Sequence, residues 1–162
     1  MRYIISVIAI VIVAALGLLM WRERAVAPGP DGQDTATLKV YFMNDKLDPE
    51  ITCQKVFPVE RTVPYTLGVA QAALKQLLVG PTDAEKAAGY ATTIPQGVTL
   101  ESVTIKDGTA YAAFDETLER SVGGSCRVTA IRQQIIRTLQ QFPTVTNVVI
   151  SINGRTEDIL QP

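Results

Sequence analysis

Residues 121–126 (SVGGSC) form the segment of this chain whose residue types come nearest to covalent chemistry. A cysteine at the start of a helix has a lowered thiol pKa, and nearby backbone amides could stabilise an oxyanion. No general base of the usual kind accompanies it, because the chain contains no histidine. The glycine spacing matches neither a nucleophile elbow nor a phosphate-binding loop. We therefore predict a glycine-rich approach to a helix and no catalytic residue.

Two groups of carboxylates have the ligand type that hard cations prefer: Asp115, Glu116 and Glu119, and Asp45, Asp48 and Glu50. The first group could bind a cation or act as paired carboxylates, but acidic residues also favour the start of a helix because of the helix dipole. The second group matches no complete calcium-binding loop. We predict a solvated start of a short helix for the first group, a polar surface loop for the second, and no metal ion or cofactor.

Three arginines lie at spacings of five on a predicted helix: Arg127, Arg132 and Arg137. Gln133 and Gln134 lie between the last two, and Gln140 and Gln141 follow. One interpretation is a solvated polar face. The other is a contact surface for an acidic partner, a glycan or a neighbouring copy, since guanidinium groups form directional hydrogen bonds. Residues five apart do not form one stripe on a helix, which weakens the second interpretation.

Composition excludes one class of partner and indicates another. A net charge of -1 and a pI of about 5.5 give no basic footprint for nucleic acid. Residues 3–21 (YIISVIAIVIVAALGLLMW) contain no charged residue, and nineteen helical residues span about 28 Å, close to the thickness of a bilayer core. We predict that residues 1–24 are an N-terminal transmembrane anchor and that the chain binds the membrane through residues 3–21.

A cleaved signal peptide and a buried soluble helix are the alternatives to this anchor. Residues 25–27 (AVA) imitate a cleavage site, but Pro28 follows directly, and the apolar run is longer than a signal peptide needs. Residues 25–37 have the proline and glycine content of a flexible linker, and residues 38–162 are long enough for one domain. A single anchor followed by a compact domain usually delivers that domain across the membrane, so we predict an extracytoplasmic location.

The predicted export of the domain places Cys53 and Cys126, the only cysteines, outside the cytoplasm. A cysteine pair outside the cytoplasm is commonly oxidised, and both residues lie at predicted loops or element ends. We predict an intramolecular disulfide with α-carbons within about 7 Å. A reduced structural pair and a redox-active thiol at Cys126 remain the alternatives.

The residue pattern in the first half of the domain predicts two extended segments and a helix. Alternating apolar residues from Leu38 to Phe42 indicate a strand, and residues 53–63 a second, irregular one. Residues 67–79 have helical spacing, with Thr66 as the predicted cap and Gly80 as the stop.

The second half predicts a hairpin, a helix and a strand. Asp107-Gly108 is typical of a two-residue hairpin turn, which pairs Ile105 with Ala110 and Val103 with Ala112. Leu100 then meets Phe114 only if a bulge lies at residues 101–102. Residues 127–142 indicate a helix capped by Ser125, and residues 145–152 a final strand parallel to a neighbour.

This element order predicts the fold class. Two amphipathic helices each need an apolar surface to cover, and one face of a sheet supplies it. We therefore predict an α+β two-layer sandwich, in which a small mixed sheet carries two helices on one face.

The same residues resemble the GerMN domain of bacterial envelope proteins. The matching features are a helix that ends in Leu77-Leu78-x-Gly80-Pro81, the Ile94-Pro95-x-Gly97 turn, the Phe114-Asp115 hairpin end and the Thr138-Leu139-x-x-Phe142 helix end. The resemblance covers residues 38–160. It implies a fold similar to the ring-building motifs of secretion and sporulation channels, an extracytoplasmic location and a non-catalytic role in envelope assembly or near peptidoglycan.

Together these expectations define two functions. The first is a membrane-anchored, non-enzymatic structural or binding module of the cell envelope, with an envelope protein or glycan as partner and with self-association into a homo-oligomer. The alternative is an accessory or regulatory subunit of a peptidoglycan-related enzyme.

Overall fold

The computed structural model describes residues 34–161, so the predicted anchor and most of the predicted linker lie outside the described residues. Within this part no helix is long and apolar enough to cross a membrane. The elements follow one another as β1 (Thr35–Asn44), β2 (Phe57–Pro64), α1 (Val69–Val79), α2 (Asp83–Ala87), β3 (Tyr90–Ala91), β4 (Leu100–Lys106), β5 (Thr109–Phe114), a 3₁₀ turn (Glu116–Leu118), α3 (Ser125–Leu139) and β6 (Asn147–Ile152). β1 begins at Thr35, inside the range predicted as linker.

The strands form two three-stranded sheets, in the orders β2-β1-β3 and β4-β5-β6. The α+β class is confirmed, but the prediction of one small mixed sheet is wrong. The first sheet is antiparallel, whereas the second is mixed because β6 runs parallel to β5. Thr35 to Phe42 of β1 pair with β2, while β3 pairs only with the last two residues of β1.

Side chains cover the edge of β1 that does not pair with β2. The Lys39 backbone N–H donates to the side-chain oxygen of Gln141 at 2.8 Å, and the Gln141 amide donates back to the Lys39 carbonyl at 2.6 Å. The Tyr41 N–H donates to the Thr138 hydroxyl at 3.1 Å. Side chains from the end of α3 therefore satisfy backbone groups that another strand would otherwise pair with.

The hairpin follows the sequence closely. Ile105 pairs with Ala110 and Val103 with Ala112, and the register shifts between Leu100 and Ser102, so that Leu100 meets Phe114. The predicted bulge and the parallel last strand are both confirmed. Gly108 adopts φ +77°, the left-handed conformation that this turn type requires at its glycine.

One main core joins both sheets and both long helices. α3 buries apolar residues at spacings of three and four, and α1 buries residues on the side that faces β1. β1, β5 and β6 contribute the opposing side chains. The fully buried members of this core include Val40, Phe42, Leu74, Phe114, Ile131, Ile135, Leu139 and Ile152.

Both predicted helix caps are wrong. Thr66 accepts a hydrogen bond from the Gly68 N–H at 3.1 Å, but Gly68 is the N-cap residue and α1 begins at Val69. Ser125 is the first residue of α3, and Gly124 precedes it as N-cap with φ +85°. The left-handed glycine turns the chain into the helix one residue earlier than a serine cap would, so the Ser125 side chain does not reach the capping position.

The attachment of α3 to β1 leads to a first prediction. Replacing Thr138 by valine keeps the volume but leaves the Tyr41 N–H without its acceptor, which should lower the free energy of unfolding by about 1–2 kcal/mol. Thr129→Val is the matched control, because Thr129 lies on the same helix and its hydroxyl forms no hydrogen bond among residues 34–161. Urea unfolding of residues 34–162 measures both. Equal losses in the two variants would contradict this account of the β1 edge.

Candidate binding surfaces

Cys53 and Cys126 form a disulfide, with their α-carbons 5.2 Å apart. The bond ties residues 45–56, between β1 and β2, to the first turn of α3. Neither cysteine is free. The structure therefore contains the predicted bond and leaves no thiol at Cys126 for nucleophilic chemistry.

The segment 45–56 is held by a buried carboxylate as well as by the disulfide. Asp48 is 5% exposed, and one of its oxygens accepts from the Thr52 N–H at 2.9 Å and from the Thr52 hydroxyl at 2.7 Å. The Lys55 ammonium reaches the other oxygen at 3.2 Å. The Thr52 hydroxyl bond is the main cause that lowers the pKa of Asp48 below its ordinary value, against the opposing effect of burial. Asp48 thus acts as an internal acceptor that shapes the loop.

The other acidic group also makes bonds within the domain. Asp115 accepts from the Thr99 N–H at 2.9 Å and from the Thr117 hydroxyl at 2.8 Å. Glu116 pairs with Arg120 at 2.7 Å across one helical turn, and Glu119 pairs with Arg155. Among residues 34–161 no group of three potential metal ligands occurs.

The three arginines of α3 differ in what they contact. Arg127 donates to the Ser121 carbonyl at 3.0 Å, and Arg132 donates to the Ile159 carbonyl at 2.9 Å. These bonds fix the approach to α3 and the C-terminal tail. Arg137 is exposed and forms no ion pair among the described residues. The arginines therefore do not gather into one patch, and their role in binding a partner stays a prediction.

A surface that the sequence did not predict lies between α1 and β4. We call it the α1–β4 groove and define it by the residues that line its two shallow ends: Leu67, Gly68, Val69, Ala70, Gln71, Lys75, Leu78, Val79, Gly97, Val98, Thr99, Leu100, Glu101, Ser102, Val103 and Ile105. Leu67 is 91% exposed, Val79 76% and Ile105 42%. Three of the six large exposed apolar residues of the described chain thus lie along one groove.

The groove also has an open strand edge. β4 is a terminal strand of its sheet, and the pair Lys106–Thr109 closes the two-residue turn. A closing pair of this kind exchanges both hydrogen bonds, so the alternation directs the N–H and C=O groups of Val103 and Ile105 away from β5. Within residues 34–161 these groups form no hydrogen bond with another segment. The same two residues point their side chains into the groove.

The sequence holds one weak signal of this groove: large apolar residues outside the predicted buried faces. Leu67 and Val79 lie at the ends of the predicted helix but outside its apolar stripe, and Ile105 lies beside a polar turn. Periodicity alone assigned them to neighbouring elements and gave no sign that those elements share a surface.

The disulfide leads to a second prediction. It closes a loop of 73 residues, for which the chain-entropy model gives roughly 4 kcal/mol. The double variant Cys53→Ala with Cys126→Ala should therefore lose about 2–4 kcal/mol in urea unfolding. The reduced wild-type protein should lose a similar amount, which separates the bond from the side-chain change. A loss below about 0.5 kcal/mol in both would show that the bond does not constrain the domain.

Comparisons with known proteins agree on the fold. The tandem GerMN domains of the sporulation protein GerM from Bacillus subtilis match with a TM-score of 0.60 and 23% identity, over 78% of this chain and 42% of that one. The first GerMN domain of the same protein matches with a TM-score of 0.53 and 24% identity, over 75% of this chain and 85% of that one. A putative lipoprotein from Clostridium perfringens matches with a TM-score of 0.50 and 19% identity, over 78% and 80%.

These similarities show the fold, and this chain spans less than half of the tandem-domain chain. No curated protein matches the chain. The family model Germane, described as sporulation and spore germination, matches residues 39–158, which is most of the sequence and nearly all of the described domain. The GerMN resemblance of the sequence is thereby confirmed, and the chain belongs to the Germane family of sporulation and spore germination domains.

Proposed function

We propose that this protein is a membrane-anchored, extracytoplasmic and non-enzymatic binding module of the bacterial cell envelope. The single observation that carries the proposal is the α1–β4 groove, where exposed apolar side chains lie beside a strand edge that no other strand of residues 34–161 pairs with. Membership of a sporulation and germination family supports an envelope process. The uncharged run at residues 3–21 supports the anchor.

The groove fits an extended segment of a partner protein. An added strand would hydrogen-bond to the outward N–H and C=O groups of Val103 and Ile105, in the mode called β-augmentation. Its side chains on one face would enter the groove against Leu67 and Val69 of the α1 side. Backbone bonds give such a contact affinity, and alternate apolar side chains give it specificity.

The charges beside the groove favour no strongly acidic or basic partner. Glu101 lies in the groove on the β4 side and Lys75 lies on the α1 side. Opposite charges on the two walls leave the apolar side chains and the strand edge as the main recognition elements. We therefore propose a partner segment with apolar residues at alternate positions.

The non-enzymatic role rests on what the candidate reactive groups do. The chain has no histidine, and its two cysteines are bonded to each other. The carboxylates that could have formed a pair accept hydrogen bonds from threonines or pair with arginines. The alternative function, an accessory subunit of a peptidoglycan-related enzyme, would use the same groove with an enzyme as partner.

A third prediction tests the groove. A photo-activated cross-linking residue at position 105, in the full chain in cells, should capture one envelope protein, whereas the same residue at position 111 should not. Tyr111 is the matched control because it is 46% exposed on the same hairpin but on the opposite face. Val103→Pro, which removes an outward N–H together with a side chain that lines the groove, should lower the yield at position 105 at least tenfold.

Three outcomes would contradict the third prediction: no adduct at position 105, an equal adduct at position 111, or full yield with Val103→Pro. An adduct of twice the chain mass would show that the occupant is a second copy, which is the predicted homo-oligomer. It would replace the partner segment in this proposal.

A fourth prediction tests the topology. Protease added to intact spheroplasts should degrade residues 38–162, because the anchor places them outside the cytoplasm. A cytoplasmic marker protein should survive in the same sample. Survival of the domain until the membrane is breached would contradict the extracytoplasmic location.

A further inference from the structure

A second pocket, which shares no residue with the α1–β4 groove, lies at the end of β1. It has a volume of about 170 Å³, slightly larger than a cavity of about 150 Å³ that accepts benzene. β3 and the 45–56 segment supply its other walls. Met43, Ile51 and Ala91 give it an apolar lining, and Asp45, Asp48 and Lys55 supply charges.

The wall of this pocket is fixed before any ligand arrives. The Cys53–Cys126 disulfide and the Thr52 bonds to Asp48 hold the segment at two points. Between them Ile51 adopts φ +48°, a left-handed conformation that is costly for a β-branched residue. Strained backbone conformations are often found at ligand sites, where the surrounding structure enforces them and they hold side chains in place. Ile51 is kept 57% exposed, as an apolar wall rather than as part of the core.

The pocket carries charged groups of both signs, from Asp45, Asp48 and Lys55. The Asp45 carboxylate is exposed and forms no ion pair among residues 34–161. The Lys55 side chain is also exposed, and within the described part of the chain its ammonium group pairs only with the Asp48 oxygen. The pocket therefore offers a free carboxylate and an accessible ammonium group, beside an apolar space that holds a few carbon atoms.

We propose that this pocket binds a free zwitterionic α-amino acid with an apolar side chain. Its ammonium group pairs with Asp45, its carboxylate pairs with Lys55, and its side chain packs against Met43, Ile51 and Ala91. The site is independent of the proposed binding of a partner strand, so either one can fail without the other.

The test uses the full-length chain in detergent and leucine as the probe. Equilibrium dialysis should show saturable binding with a Kd below about 5 mM, a range that suits a ligand of so few atoms. Two leucine fragments separate the charges: 3-methylbutylamine lacks the carboxylate, and 4-methylpentanoate lacks the amine. Each should bind at least tenfold more weakly. Amide shifts on binding should be confined to residues 43–55 and residue 91.

Variants locate the site. Asp45→Asn and Lys55→Met should each weaken leucine binding at least fivefold. Asp83→Asn is the matched control, since Asp83 is a fully exposed aspartate on α2 outside the pocket, and it should bind as the wild type does. Circular dichroism confirms that each variant is folded.

Five results would overturn the proposal: no saturable binding of leucine, binding of either fragment as tight as that of leucine, wild-type affinity in Asp45→Asn or Lys55→Met, amide shifts outside the pocket, or a loss of affinity in the Asp83→Asn control. If 3-methylbutylamine and 4-methylpentanoate bound as tightly as leucine, the pocket would recognise only the apolar side chain. A loss in Asp83→Asn as large as that in Asp45→Asn would show a general charge effect.

Discussion

The hydrogen bonds from the end of α3 to the edge of β1 determine the rest of the architecture. Gln141 bonds both backbone groups of Lys39, and Thr138 accepts from Tyr41. With this edge occupied by side chains, no strand of the second sheet pairs with β1, and the strands form two sheets. The division leaves β4 at the outer edge of the second sheet, next to α1. The proposed binding surface lies along this terminal strand.

The periphery of the domain is fixed by a few long-range bonds around this centre. The disulfide attaches the 45–56 segment to the start of α3, and Arg132 attaches the C-terminal tail to the same helix. Arg61 forms a bidentate ion pair with Glu85, which joins β2 to α2. Segments with few apolar residues are therefore held by polar or covalent bonds, while the helices and central strands are held by burial. None of these bonds involves the α1–β4 groove, which no segment of residues 34–161 covers.

Local patterns in the sequence predicted the parts of the fold that local chemistry decides. Asp107-Gly108 specified the hairpin register and the bulge, and the apolar spacing of residues 128–139 specified the buried face of α3. The division into two sheets could not be predicted, because it depends on Gln141 reaching a strand 102 residues away. The predicted helix caps were wrong for a different reason. Gly68 and Gly124 are the N-cap residues, in place of the threonine and serine that local preference favours. The groove was missed because periodicity shows which face of an element is buried but not which strand ends a sheet.

The central claim, that a partner adds a strand to β4, is tested most directly by amide hydrogen exchange at Val103 and Ile105. The measurement compares the free wild-type protein with its non-covalent complex with the partner that capture through position 105 identifies. The account predicts fast exchange of both amides in the free protein, because they point outward from an edge strand, and strong protection in the complex. Thr104, whose N–H already faces β5, should be protected in both states. Unchanged exchange at Val103 and Ile105 in the complex would show that the partner contacts the groove without pairing to the strand, and would contradict the account.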